Sequence, residues 1–316
     1  MKILFTFPLR EDLKEELLDE FAGHEFLFTE RGVKLGKDLE DADVLVTYGE
    51  DLDEEDIHRA GKLKWIMVTS AGVEKMPLPA IAHKRILMTN ARGIHKIPMA
   101  EFTMSFLFQH AKQSKQLWEQ ERQGVWNRKA AFKEIYEETI LVVGAGAIGT
   151  QIAKLARAFG MKTAGVNSSG NAVEGFDAIY SMDRLLEGLK DADYVVSVLP
   201  STPSTKHVYK KEHFQNMKET AVFINIGRGD AVKEEVLLEA LRNKEIDHAY
   251  LDVFKTEPLQ EDHPFWTMDN VTVTPHISSI SSKYLPRSME IFRANLHTFI
   301  NNGDQYVNII DPERGY

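Results

Sequence analysis

The sequence predicts an α/β protein of two doubly wound parallel-sheet domains, and three observations carry that prediction. Short strand-like runs alternate with longer helical patterns, the order expected of parallel β-α-β units rather than of a sandwich. The alternation occurs in two separate series divided by one long helical stretch. At 316 residues, with 43% hydrophobic side chains, the chain is long enough for about two cores.

The first series opens with "MKILFTFPLREDLKEE". Its apolar run is too short for a secretory leader and breaks at Arg10, Glu11 and Asp12 without a small-residue cleavage site, so residues 3–7 read as a strand. Residues 13–21 form an amphipathic helical pattern, and strands follow at 44–48, 65–69 and 86–89. From Met99 a helical pattern runs to Gly124 with no proline after Pro98. It exceeds an average globular helix and is expected to bridge two domains or carry a subunit contact. The second series places strands at 139–143, 162–166, 194–199, 222–226, 248–253 and 271–274. The amphipathic segment 288–301 and the tail to residue 316 are too short for a domain and are expected to pack back onto one. No internal repeat or low-complexity tract interrupts the chain.

Composition excludes several classes of function. With 48 acidic against 38 basic residues the net charge is −10, which repels nucleic acid and anionic lipid. Cysteine is absent, which excludes disulfides, thiolate metal sites and a cysteine nucleophile, and no metal site is expected. No apolar run reaches the about 18 residues of a membrane span. The reading is a soluble, cytosolic protein.

In "TILVVGAGAIG" the glycines Gly144, Gly146 and Gly149 stand directly after an apolar strand and directly before the helical "TQIAKLARAFG". Strand, glycines, helix and a further strand are the order a dinucleotide-binding turn requires. The first glycine permits the sharp turn, the second lets a pyrophosphate approach the backbone, and the third lets helix and strand pack closely. Amides and the helix dipole then hold the anion. The choice of dinucleotide lies at the end of the next strand, where an acid normally binds the adenosine ribose and repels a 2′-phosphate. Here "KTAGVNSSG" carries Asn167, Ser168 and Ser169 instead, an amide and two hydroxyls able to donate to phosphate. NADP is therefore favoured, with NAD tolerated because no arginine supplies a clamp.

Three more strand ends carry charged or titratable side chains: "FINIGRGDAV" with Arg228, "YLDVFKTEP" with Asp252 and Glu257, and "VTVTPHISS" with His276. Ligands of open parallel sheets lie outside the carboxyl ends of the strands, so Arg228, Glu257 and His276 are expected to converge there. Reduction of a carbonyl needs a polariser and a proton donor. An imidazole, which titrates near neutrality, suits the second part. A neighbouring carboxylate such as Glu257 fixes its tautomer, and a guanidinium binds the oxygens of a 2-oxo acid in a fork at any pH. Glycines on either side of Arg228 are read as room for substrate and nicotinamide against bare backbone. The other ten histidines, among them His83, His110, His207 and His213, offer no catalytic reason to choose them.

The ordered set "VVGAGAIG", "VLPSTPST", "INIGRGDAV", "LDVFKTEP" and "TPHISS" resembles the D-isomer-specific 2-hydroxyacid dehydrogenase family over about half the chain, with "TSAGVEKM" and "TNARGIHKIPMAEF" matching more loosely. The resemblance implies two Rossmann-like domains with the active site in the cleft between them. The outer, substrate domain would comprise residues 1–98 and 286–316, and the dinucleotide domain residues 99–285. It further implies His276 as proton donor and acceptor, Glu257 as its partner and Arg228 as binder and polariser of the 2-oxo acid. Asp252 would meet the nicotinamide carboxamide, Ala147 and Ile148 the pyrophosphate, Leu199, Pro200 and Thr205 the adenosine and ribose, and Ile226 and Gly227 the nicotinamide ribose. Ala71, Gly72 and Val73 would hold the substrate carboxylate through their backbone.

The resulting expectation is an oxidoreductase that moves a hydride between NAD(P)H and a small 2-oxo acid such as glyoxylate, hydroxypyruvate or a branched acid. A homodimer joined through the long helix after Met99 is expected. No regulatory domain is expected beyond residue 316, which disfavours a feedback-regulated phosphoglycerate dehydrogenase. The alternative is a dinucleotide-sensing scaffold of the same fold without turnover.

Overall fold

The computed structural model of the protein describes residues 1–314. The chain divides into two compact units, one made of Met1–Ile94 with the segment from Ser281 onward, the other of His95–Ile280.

The first unit holds strands β1 (Lys2–Phe5), β2 (Glu25–Phe28), β3 (Val44–Thr47), β4 (Trp65–Val68) and β5 (Leu87–Asn90), all parallel, in the order β2-β1-β3-β4-β5. Successive side chains of a strand point to opposite faces, and a parallel sheet is covered on both, so its strands are apolar throughout. Leu4, Leu45, Ile66 and Met88 accordingly enter one core, and Ile3, Phe5, Val44, Val46, Trp65 and Met67 the other. The helix Tyr284–Ile300 covers that second face through Met289, Phe292 and Leu296, with the Trp65 and Phe292 rings stacked at 5.4 Å. The C-terminal amphipathic segment therefore completes the core begun by the N-terminal strand.

The second unit holds β6 (Thr139–Val143), β7 (Lys162–Asn167), β8 (Ala178–Ser181), β9 (Tyr194–Ser197), β10 (Val222–Asn225), β11 (His248–Leu251) and β12 (Val271–Val273). They form one parallel sheet in the order β12-β11-β10-β9-β6-β7-β8. The order reverses between β6 and β9, which is where such sheets bind ligands. The two doubly wound sheets expected from the sequence are those observed.

Two elements differ from the sequence reading. The helical stretch after Met99 is two helices, Lys96–Ala111 and Ser114–Gln123, broken at Gln113, whose φ of 51° is left-handed. The first helix buries Met99, Ala100, Thr103, Phe106 and Leu107, whereas the second buries nothing, so the break falls where packing against the sheet ends. Strands β2 and β8 are additional. Each sits at a sheet edge with no fully buried residue, and so lacks the continuous apolar run that marks the inner strands. Among the described residues no helix is long and apolar enough to cross a membrane.

Candidate active site

At the switch point, β6 runs through Gly144 to Gly146 into the helix Ala147–Ala158. Gly144 has φ 113°, a conformation L side chains rarely adopt. A side chain on Gly149 would overlap the Gly144 carbonyl, so helix and strand touch only because it is absent. Above Gly146 there is no atom within 4 Å of a notional Cβ, and no side chain caps the helix. An exposed, uncapped helix start with open space over its backbone fits a pyrophosphate, since the first-turn amides need an acceptor and the dipole favours an anion.

Asn167 ends β7 and closes the loop that follows. Its Oδ1 accepts the amides of Ser169 at 3.1 Å and Gly170 at 2.6 Å, while its Nδ2 donates to the Asn171 carbonyl at 2.9 Å. The Ser169 hydroxyl donates to the same Oδ1 at 3.3 Å and accepts the Asn171 amide at 3.2 Å. Asn167 thus shapes the loop, a part the sequence did not suggest, and exposed Ser168 is the hydroxyl not engaged within it. On the other lip, the Thr205 hydroxyl donates to the Pro200 carbonyl at 2.5 Å and accepts the Thr202 amide at 2.9 Å, fixing the turn after Leu199.

The Arg228 loop leaves β10 with its guanidinium exposed and Nη1 donating to the Gly227 carbonyl at 2.9 Å. Asn225 braces the loop by donating Nδ2 to the Arg228 carbonyl at 3.0 Å and accepting the Gly227 amide at 3.2 Å. The flanking glycines have a different reason from the one expected. A Cβ on Gly227 would lie 2.7 Å from the backbone N and O of Leu199, and one on Gly229 would overlap the Phe254 carbonyl group. Protein backbone, not open ligand space, faces those two positions. Ile226 likewise buries its side chain in the core, so any ligand contact it makes is through the main chain.

β11 and β12 present the remaining groups. His276 Nδ1 lies 2.7 Å from Glu257 Oε2, and the other carboxylate oxygen, Oε1, accepts the Phe254 amide at 2.9 Å. With Nδ1 so engaged, Nε2 is the ring atom left for another partner. His276 has φ 55°, left-handed and unfavourable for a histidine without support. Asp252 supplies that support. Fully buried, its carboxylate accepts the Thr274 hydroxyl at 2.6 Å and the amides of Ile277 and Ser278, each at 2.9 Å, and its carbonyl accepts the His276 amide at 2.9 Å. Asp252 was read only as a ligand contact; it also holds the turn that carries His276. The structure brings Glu257, Asp252 and His276 together by direct bonds, while Arg228 stands on the neighbouring strand end without a bond to them.

In the first unit, the amides of Ala71, Gly72 and Val73 after β4 donate to no acceptor among the described residues. Asn90 Nδ2 holds the Ala71 carbonyl at 2.6 Å, and the Ser70 hydroxyl holds the Gly72 carbonyl at 2.7 Å. Successive free amides form a concavity suited to an anion. One histidine was passed over: His95, at the start of the helix Lys96–Ala111, bonds through its ring to the Ser279 backbone, three residues past His276, and senses the Arg228 charge. Nothing in its local sequence signals this proximity, which arises only in the fold. No cluster of three or more metal-ligating side chains occurs among the described residues.

Comparison with known proteins bears on this arrangement. The profile of the D-isomer specific 2-hydroxyacid dehydrogenase NAD binding domain matches residues 104–278. D-3-phosphoglycerate dehydrogenase of Methanocaldococcus jannaschii is 36% identical over 280 residues, 87% of this chain but 53% of the relative, so the chain spans about half its length. Glyoxylate/hydroxypyruvate reductase B of Klebsiella pneumoniae is 30% identical over 280 residues, 86% of this chain and 85% of the relative. Among solved structures, a D-isomer specific 2-hydroxyacid dehydrogenase family protein from Aeromonas salmonicida aligns with TM-score 0.85 and 33% identity, over 98% of this chain and 99% of that one. A Xanthobacter autotrophicus D-isomer specific 2-hydroxyacid dehydrogenase, in complex with NADPH and MES, aligns with TM-score 0.80 and 26% identity over 100% and 99%.

Proposed function

The chain belongs to the D-isomer-specific 2-hydroxyacid dehydrogenase family, and from that premise we propose that it is a cytoplasmic homodimer reducing a small 2-oxo acid to the D-2-hydroxy acid, with NADPH preferred over NADH. The observation that carries the reading is the 2.7 Å pairing of His276 with Glu257 at the strand ends beside Arg228. A bound nicotinamide dinucleotide supplies the hydride. His276, its Nδ1 held by Glu257, delivers a proton from Nε2 to the oxygen that gains negative charge. Arg228 binds the acid and polarises its oxo group, keeping its charge throughout. The free amides of Ala71, Gly72 and Val73 hold the carboxylate. Gly144, Gly146, Ala147, Ile148 and Gly149 take the pyrophosphate, and Leu199, Pro200, Thr205, Ile226 and Gly227 border adenosine and nicotinamide through their backbone. Asp252 has lone-pair capacity left for the carboxamide after holding its turn.

Glyoxylate and hydroxypyruvate are the favoured substrates, in line with the named activity of the K. pneumoniae relative. A spectrophotometric screen of both reduced dinucleotides against a panel of 2-oxo acids tests the reading. Turnover of at least one acid is expected, with the higher efficiency for NADPH; tight dinucleotide binding without turnover of any acid points to the sensor instead. Because Asn167 offers no carboxylate to repel a 2′-phosphate, Asn167→Asp is expected to move the efficiency ratio toward NADH. An unmoved ratio removes Asn167 from cofactor choice.

Support for the dimer comes from the stretch that follows the broken helix. Trp118, Val125, Trp126, Phe132 and Tyr136 are all exposed, Trp126 at 93%, a density of apolar surface that usually marks an interface. Light scattering is expected to give twice the 36.0 kDa chain mass, and a monomer at micromolar concentration ends that part of the proposal.

A further inference from the structure

We propose that His95 is a positioning residue for the reaction, a ring delivered by the helix Lys96–Ala111 that fixes the far end of the turn carrying His276. The inference rests on His276 being the proton carrier. That turn is gripped from β11 at three points, since Asp252 takes the Thr274 hydroxyl and the Ile277 and Ser278 amides. Its next residue, Ser279, is reached from the opposite side by the His95 ring. Two anchors on different elements therefore bracket the left-handed His276, and neither alone fixes both ends of a backbone that pays for a φ of 55°.

The helix behind His95 gives the anchor its rigidity. Pro98, Met99, Ala100 and Thr103 are buried within two turns of it, and the Thr103 hydroxyl bonds back to the Met99 carbonyl at 2.8 Å. The ring's Nδ1 is itself buried. Burial, together with the Arg228 guanidinium, lowers the His95 pKa below its ordinary value. At neutral pH the ring is thus uncharged, able to bond the Ser279 backbone without setting a second cation beside Arg228.

The test uses the full chain with His95→Ala and His95→Gln. For His95→Ala, kcat is expected to fall roughly 10- to 100-fold, the scale of a misplaced catalytic group, while KM for the dinucleotide and the melting temperature stay near those of the parent. His95→Gln, which retains an N–H donor, is expected to recover much of kcat. Independently of turnover, the imidazole ¹⁵N resonances of His276 are expected to shift in the alanine variant. An unchanged His276 signal overturns the proposal whatever the kinetics, and so does a shifted signal with unchanged kcat. If the parent itself turns over no 2-oxo acid, the proposed function fails, and the His276 resonance alone then decides whether His95 holds the turn.

Discussion

A His276→Ala variant is expected to lose turnover by about 10²- to 10⁴-fold, the usual contribution of a placed general acid, while binding reduced dinucleotide nearly as tightly as the parent. The separation follows from where the ring stands. Its Nδ1 is committed to Glu257, and Glu257 in turn to the Phe254 amide, so the side chain is part of a chain of bonds along the ends of β11 and β12. The dinucleotide turn lies after β6, on strands that are not their neighbours in the sheet. Removing the imidazole deletes the proton carrier and leaves Gly144, Gly146 and Gly149 as they were.

Alanine at a left-handed position brings a small penalty of its own, about 1–2 kcal/mol at most. His276→Asn is therefore the sharper control, because asparagine tolerates that conformation and its amide can still donate to Glu257. It cannot carry a proton at neutral pH. Equal loss in the two variants, measured by single-turnover kinetics beside fluorescence titration of the dinucleotide, assigns the effect to proton transfer. Turnover in either variant close to that of the parent removes His276 from the mechanism.

How much of this was legible beforehand depends on the range over which each feature is encoded. The inner strands were visible because both faces of each sheet are covered, which forces four- and five-residue apolar runs such as 141–143 and 222–224. The edge strands β2 and β8 were not, since a half-exposed strand needs no such run. The glycine turn was legible because its three requirements fall within six consecutive residues. Glu257 and His276 were singled out by their place after strands, but the bond between them spans 19 residues and belongs to the fold. Asp252 shows the limit more clearly. Its position suggested a ligand contact, whereas its three side-chain bonds to residues 274–278 are tertiary, and no periodicity reports them. His95 lies still further out, at the head of a helix some 180 residues before the turn it touches.

The glycines around Arg228 yield the second large effect, because their expected reason and their actual one predict opposite results. Were Gly229 bare to admit a ligand, Gly229→Ala would fold normally and lose only affinity. In the structure a Cβ there overlaps the Phe254 carbonyl group and crowds the Lys255 amide, and backbone cannot step aside as a side chain can. Gly229→Ala is therefore expected to destabilise the second unit by about 3 kcal/mol, the upper end of ordinary overpacking, and to lower its melting temperature by roughly 6 to 12 °C. Gly146→Ala is the counterpart. With no atom within 4 Å of the added methyl, it is expected to melt with the parent and to bind dinucleotide at least about tenfold more weakly, since the methyl enters the space assigned to the pyrophosphate. Calorimetry and a dinucleotide titration on the two variants separate the cases: a Gly229→Ala melting point within a degree of the parent means the loop yields and the clamp between Phe254 and Leu199 does not set Arg228. Parental dinucleotide affinity in Gly146→Ala means that the open turn is not where the anion sits. The arginine on bare backbone is thus a side chain held still by two neighbouring loops, which is the condition under which a guanidinium can meet a carboxylate in a fixed fork.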